Sequence, residues 1–352
     1  MAEIESKIQN HLINQLPFVL YSKPNVEGVI AMFQKDDSLF SVNDFSEKGF
    51  VFASFDGTKT YLIPEKESEI MHFSLNSKES LPSKTQFRAG DDVAKREFES
   101  LVSKGILAIS NNQFKKVVLS RKEHVNIEDF NMFETFEKLV QLYPSAFVYC
   151  FYHPEIGNWI GATPEQLLKV NGGKFETISL AGTQKDTGSS DILWGEKEKE
   201  EQQFVTDYLV SRLESVASDV KFTEPYSIKA GSIWHIKTDV SGDLNFDSSL
   251  KEVVQLLHPT PAVCGLPKEI AKEFIIENEP YDRGFYTGFL GELNCNFTNK
   301  KASSDLFVNL RCMEVKNSQA HLYMGCGITK DSIPDKEWEE SVNKSMTMKK
   351  VL

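Results

Sequence analysis

The sequence predicts a mixed α/β protein with antiparallel sheets, not a doubly wound parallel one. Two observations carry this. Apolar or β-branched runs are punctuated by Asn, Asp, Gly and Pro, with hairpin signals such as Asn171-Gly172-Gly173. Segments of helical period are interspersed among these runs rather than alternating regularly with them.

The elements follow in order. Phe18–Tyr21, Gly28–Phe33, Gly49–Ala53 and Thr60–Ile63 read as short strands within an N-terminal region, 1–85. The polar stretch Asn76–Asp92 reads as a boundary, and 86–352 as the region that carries the candidate residues named below. Val93–Ile109 has helical spacing, Lys116–Ser120 is a short strand, and Phe130–Leu142 is again helical. Ala146–Tyr152 pairs with Trp159–Ala162, and Leu167–Val170 with Phe175–Leu180 across the Asn-Gly-Gly turn. Ser190–Val220 reads as one long charged helix, Ile233–Val240 as a strand, and Leu250–Leu257 and Lys268–Asn278 as helices. Phe285–Leu293, Leu306–Val315 and His321–Ile328 read as strands, the last two joined at Lys316–Gln319, and a helix closes the chain from Pro334.

Composition narrows the function. Of 352 residues, 40% are hydrophobic and 26% charged, as in a folded chain. The net charge of −12 comes without a basic cluster, which argues against nucleic acid and against a polybasic membrane contact. No apolar run reaches the length of a membrane span, and the start lacks the basic and apolar regions of a signal peptide; a cytoplasmic location is expected. The five cysteines form no CxxC pair and are expected as buried thiols, and the seven histidines show no ligand spacing.

No stand-alone motif is present, neither GxGxxG, P-loop, HExxH nor GxSxG. Candidates are instead polar residues set in apolar context. Lys116 opens an apolar strand, where it is either a strand-end lysine reaching solvent or a buried amine serving as a base. Glu165 follows Thr163-Pro164, as the entry to an element or as a carboxyl held protonated in a crevice. The run Glu196–Gln203 is mostly a solvated face, with room for one or two inward carboxylates. Glu337, Glu340 and Lys344 share one face of the closing helix, as a surface ion pair or as carboxylates for a hard cation beside an anion-binding amine. Arg311 sits mid-strand, where its charge demands a partner, and Gly325 and Gly327 let a ligand approach backbone N–H groups.

Taken together and in order, these segments resemble the chorismate-utilising enzymes. The blocks are Lys116–Arg121, Gly161–Leu168, Leu180–Thr183, Glu196–Glu201, His235, His258–Pro267, Glu279–Gly284, Leu310–Cys312, Gly325–Ile328 and Glu337–Lys344, spanning roughly residues 90 to 350. The resemblance implies large antiparallel sheets packed face to face with helices outside. Lys116 stands where anthranilate synthases have glutamine, Ala181 where aminodeoxychorismate synthases have a nucleophilic lysine, and Ala262 where salicylate synthases have threonine. The combination resembles an isochorismate synthase, a monomeric isomerase acting on chorismate, with salicylate synthase or a silent chorismate-binding protein as alternatives. Its product serves menaquinone or siderophore synthesis.

Carried over by resemblance, Lys116 is the base and Glu165 the acid. Glu201 and Glu340, with Glu337, hold Mg²⁺. Arg311 and the Gly327 backbone bind the enolpyruvyl carboxylate, and Lys344, Gly182, Thr183, His235, Ala262 and Gly325 line the substrate. Gln202 departs from the histidine usual after the metal-binding glutamate.

Overall fold

Strands Phe18–Ser22, Val29–Gln34 and Gly49–Ala53 are buried along their whole length. An antiparallel strand ordinarily keeps one wet face; here both faces are covered, so the sequence runs apolar without alternation. The computed structural model describes residues 2–75, 91–185, 192–230 and 233–352. The proposed boundary at 76–92 falls almost wholly outside these residues.

Two antiparallel sheets organise the described residues. The first runs, in hydrogen-bonded order, Gly265–Leu266, Lys116–Asn126, Gln319–Ile328, Cys312–Lys316, Gly157–Thr163, Phe147–His153, Phe18–Ser22, Val29–Gln34, Ser68–Phe73. The second runs Ala217–Phe222, Ile233–Leu244, Lys174–Lys185, Gln166–Asn171, Ser303–Val308, Phe289–Leu293, Gly49–Ala53, Thr60–Pro64, Phe40–Ser41, with Tyr226–Ala230 also on Ile233–Leu244. The segment before residue 76 thus feeds strands to both sheets.

Aromatic rings fill the space between the sheets. Phe52 stacks on Phe285 at 4.4 Å and Phe147 on Phe307 at 4.4 Å. On the far face of the first sheet, Phe18, Leu20 and Phe33 meet helices Ala2–Ile13 and Met132–Leu142. Leu168, Phe175 and Val240 of the second sheet meet helices Glu196–Leu213 and Leu250–Leu257. Helices Asp92–Ser110, Lys268–Asn278 and Pro334–Lys349 cover Leu119 and Cys326. This is the face-to-face arrangement expected. No helix among the described residues is long and apolar enough to cross a membrane.

Both short turns take the left-handed backbone that tight hairpins need. Gly172 and Gly173 have φ of +58° and +83°, and Asn317 and Ser318 of +52° and +57°.

The structure corrects several element boundaries. Helix Ala2–Ile13 precedes the first strand. The charged helix runs only over Glu196–Leu213, and Ala217–Phe222 beyond it is an edge strand. The expected strand Leu306–Val315 is two strands in different sheets, Ser303–Val308 and Cys312–Lys316. Arg311 is therefore not mid-strand but lies in the crossing between them, at φ +47°. Asn309 fixes that crossing: its amide oxygen accepts from Tyr149 Oη at 2.7 Å and its Nδ2 donates to Phe285 O at 2.9 Å.

One buried ion pair locks the loops that frame the cleft. Arg283 Nη2 lies 2.6 Å from Glu279 Oε1, with both side chains 2% exposed or less. Glu279 also accepts from Ser120 N at 2.7 Å, and Arg283 donates to Val118 O at 2.7 Å and Val263 O at 2.9 Å. Removing one partner leaves a buried charge alone. Arg283→Ala should therefore lower unfolding stability by about 3–5 kcal/mol, read by urea denaturation.

Candidate active site

The functional residues gather where chain passes from one sheet to the other. Glu165 lies between Gly157–Thr163 of the first sheet and Gln166–Asn171 of the second, so Thr163-Pro164 opens a crossing rather than a helix. The Arg311 crossing lies beside it: Val308 N donates to Glu165 O at 2.9 Å, Thr163 Oγ1 to Val308 O at 2.6 Å, and Ala162 N to Arg311 O at 3.0 Å.

The two crossings open into a cleft with about 1040 Å³ of atom-free space, part of it open to solvent. Lys116, Glu165, Gly182, Glu201, His235, Ala262, Arg311, Gly325, Gly327, Glu337, Glu340 and Lys344 all line it. The side chain of Thr183 lies outside the described residues. Residues distant in sequence thus share one cavity, the usual form of a small-molecule site.

Lys116 is 4% exposed, and its Nζ lies 2.7 Å from Glu201 Oε1. That contact ties the first sheet to the helix Glu196–Leu213 on the second. Gly327 sits against it: a Cβ there would come within 2.9 Å of Glu201 Oε1 and 3.2 Å of Lys116 Cε. Glu201 is held facing the cleft by its neighbour Gln202, whose Nε2 donates to Thr238 Oγ1 at 2.8 Å and Thr206 Oγ1 at 2.9 Å.

Burial pushes the Glu165 carboxyl up to about 7, against the opposing pull of Lys116, Lys344 and Arg311. The group is then available both as acid and as base near neutral pH. Burial lowers His235 to about 4, and its Nδ1–H donates to Gly182 O at 2.8 Å, since a carbonyl can only accept. A neutral ring with Nε2 bare results. Gly182 has φ +73° at a shift in strand register, which turns its carbonyl toward the ring. Arg311 forms no ion pair among the described residues, so its guanidinium is free for an anionic ligand.

On the closing helix, Lys344 Nζ lies 2.5 Å from Glu340 Oε1 and donates to Gly325 O at 2.9 Å. Burial would raise Glu340, but Lys344, Arg311 and His235 outweigh it and hold the carboxyl below its ordinary value. An ionised Glu340 beside Glu337 suits a hard divalent cation. One ligand atom each of Cys326, Glu337 and Glu340 lie within 4.8 Å of one another. Burial keeps Cys326 a thiol by pushing it well above its ordinary value, which leaves the two carboxylates as the fitting donors. Glu201 stands outside that cluster, engaged by Lys116.

Four polar lining residues were not singled out in the sequence: Glu198, Tyr286, Thr287 and Tyr323. Glu198 had a signal, because Glu198 and Glu201 repeat on their helix the three-residue spacing of Glu337 and Glu340. The tyrosines had none; they meet through folding, with ring centroids 5.4 Å apart.

Gly327→Ala places a methyl group against the Lys116–Glu201 contact. Turnover of the cleft's substrate should fall about 10²-fold while the melting temperature stays within a few degrees of wild type, measured by steady-state kinetics and calorimetry.

Comparison with known proteins places this geometry. Residues 46–352 match the family described as chorismate binding enzyme. The isochorismate synthase EntC of Escherichia coli is 29% identical over 262 residues, 71% of this chain. DhbC of Bacillus subtilis, also an isochorismate synthase, is 28% identical over 272 residues, 72% of this chain. The aligned part spans 66% of the length of either relative. Among solved structures, DhbC of Bacillus anthracis aligns over 99% of both chains with a TM-score of 0.77 at 25% identity. MenF, the menaquinone-specific isochorismate synthase of Escherichia coli, aligns over 96% of this chain and 89% of its own with a TM-score of 0.80 at 20% identity, a likeness of fold. With the family match covering most of its length, the chain belongs to the chorismate-binding enzymes.

Proposed function

We propose that this enzyme converts chorismate to isochorismate, an isomerase reaction in which water adds at C2 as the C4 hydroxyl leaves and the ring double bonds shift. The observation that supports it most is the pairing of Lys116 with Glu165 in one cleft, the latter with a carboxyl near 7. Water is a weak nucleophile, so a base must take its proton; hydroxide is a poor leaving group, so an acid must supply one. Lys116, as the free amine released from its contact with Glu201, takes the first role and Glu165 the second.

The substrate is a dianion. Arg311 and the backbone at Gly327 receive the enolpyruvyl carboxylate, and Lys344, His235 and the Gly182 turn border the ring. Glu340 and Glu337 are the residues that would hold Mg²⁺, a hard cation served by oxygen donors; Glu201 would join them only on leaving Lys116. When bound, the ion would draw charge from the ring carboxylate and orient it. Ala181 offers no nucleophile and Lys116 favours water over ammonia, which supports hydroxyl transfer over amination.

The tests follow from the roles. Lys116→Ala and Glu165→Gln should each lower turnover by about 10²–10⁴-fold, with chromatography of the chorismate reaction showing isochorismate from wild type alone at matched times. Near-normal turnover in either variant contradicts its role. Because the acid must be protonated, wild-type activity should fall as pH rises through about 7, the value burial gives Glu165. EDTA should abolish turnover and Mg²⁺ restore it. Salicylate fluorescence in the product would assign salicylate synthesis instead.

A further inference from the structure

Two histidines that lie far apart in the sequence meet on the surface of the first sheet. His124 and His321 are directly opposed across strands Lys116–Asn126 and Gln319–Ile328. Their Nδ1 atoms are 2.6 Å apart, and the rings stand at 88° to each other. Directly opposed residues share a face of the sheet, so both imidazoles converge on one point. Glu314 is opposed to His321 on the next strand and extends the row, though Tyr323 Oη holds its carboxylate at 3.2 Å.

We propose that His124 and His321 form a two-imidazole site for a borderline divalent transition-metal ion, Zn²⁺, Ni²⁺ or Cu²⁺. The chemistry follows from the ring atoms. At 2.6 Å the two Nδ1 atoms share one proton; when an ion displaces that proton, with both rings protonated at Nε2, the rings part to about 3 Å and present two lone pairs to it. Imidazole nitrogen suits these metals and not Mg²⁺, so the site differs in selectivity from the carboxylate cluster in the cleft. Partial burial and the charge of Lys122 lower His124, and burial and His124 lower His321, a direction that favours the neutral, ligating ring. The carboxylate of Glu314 adds a favourable charge in the same row. Water completes the coordination, because His124 is exposed and His321 half-buried.

The site has a structural consequence. The two strands it joins carry Lys116, Gly325 and Gly327 at one shared end, which faces the cleft. A bound ion would cross-link them at the edge remote from the cleft.

The experiment is calorimetric titration of the full, metal-stripped chain with NiCl₂ in excess MgCl₂, beside His124→Asn, His321→Asn and His72→Asn, the last an exposed histidine on another strand. We expect one equivalent bound by wild type and His72→Asn, and affinity at least about tenfold weaker in each of the other two variants. Ni²⁺ should also raise the melting temperature of wild type but not of those two variants. Equal affinity in all four chains, no binding by wild type, or loss of binding in excess Mg²⁺ would overturn the proposal.

Discussion

The contact between Lys116 and Glu201, 2.7 Å long, ties the first sheet to the helix that covers the second at the cleft. Around it the charges are arranged in opposition. Glu198, Glu201, Glu337 and Glu340 come from two helices, and Lys116, Arg311 and Lys344 face them from strand, crossing and helix. In a confined site such charges must be paired or await a partner. Lys116 and Lys344 are paired within the chain, while Arg311 forms no ion pair among the described residues. A cleft with grouped carboxylates at one place and a free guanidinium at another is matched to a cation and an anionic substrate together. The overall charge of −12 does not decide this, because contact distances lie well within the screening length.

The site depends on two places where the chain changes sheets. A strand that runs on within one sheet aims its side chains up or down; a crossing aims them into the gap between sheets. Glu165 and Arg311 occupy such crossings, side by side. Asn309 fixes the Arg311 crossing from below, and the Glu279–Arg283 pair ties down the strand and loop at Val118, Ser120 and Val263; neither needs to touch substrate. The left-handed backbone at Arg311 belongs to this device, since its φ of +47° turns the chain at the point where the guanidinium enters the cleft.

Much of the architecture was legible in the residues. The Asn171-Gly172-Gly173 turn and the long apolar runs predicted paired antiparallel strands, because hairpin chemistry is local. Other parts were not. Ala217–Phe222 is an edge strand whose residues carry a polar, partly exposed pattern, so it read as the end of a charged helix. The crossing at Asn309–Arg311 interrupts an apolar run without a Pro or Gly to mark it. The candidate residues nevertheless came through their chemical context: a charge in an apolar stretch needs a reason wherever the backbone turns. What no linear reading could supply was convergence, as for Tyr286 with Tyr323, or His124 with His321, which tertiary pairing alone makes neighbours.

The central claim is that the hydroxyl of the product comes from solvent, delivered across the cleft from Lys116 while Glu165 protonates the departing one. Its most direct test is the reaction of chorismate in water enriched in oxygen-18, with mass spectrometry of the isochorismate formed. The account predicts one heavy oxygen per product molecule, on the C2 hydroxyl. Unlabelled isochorismate would mean that the original hydroxyl migrates within the substrate, and would contradict it.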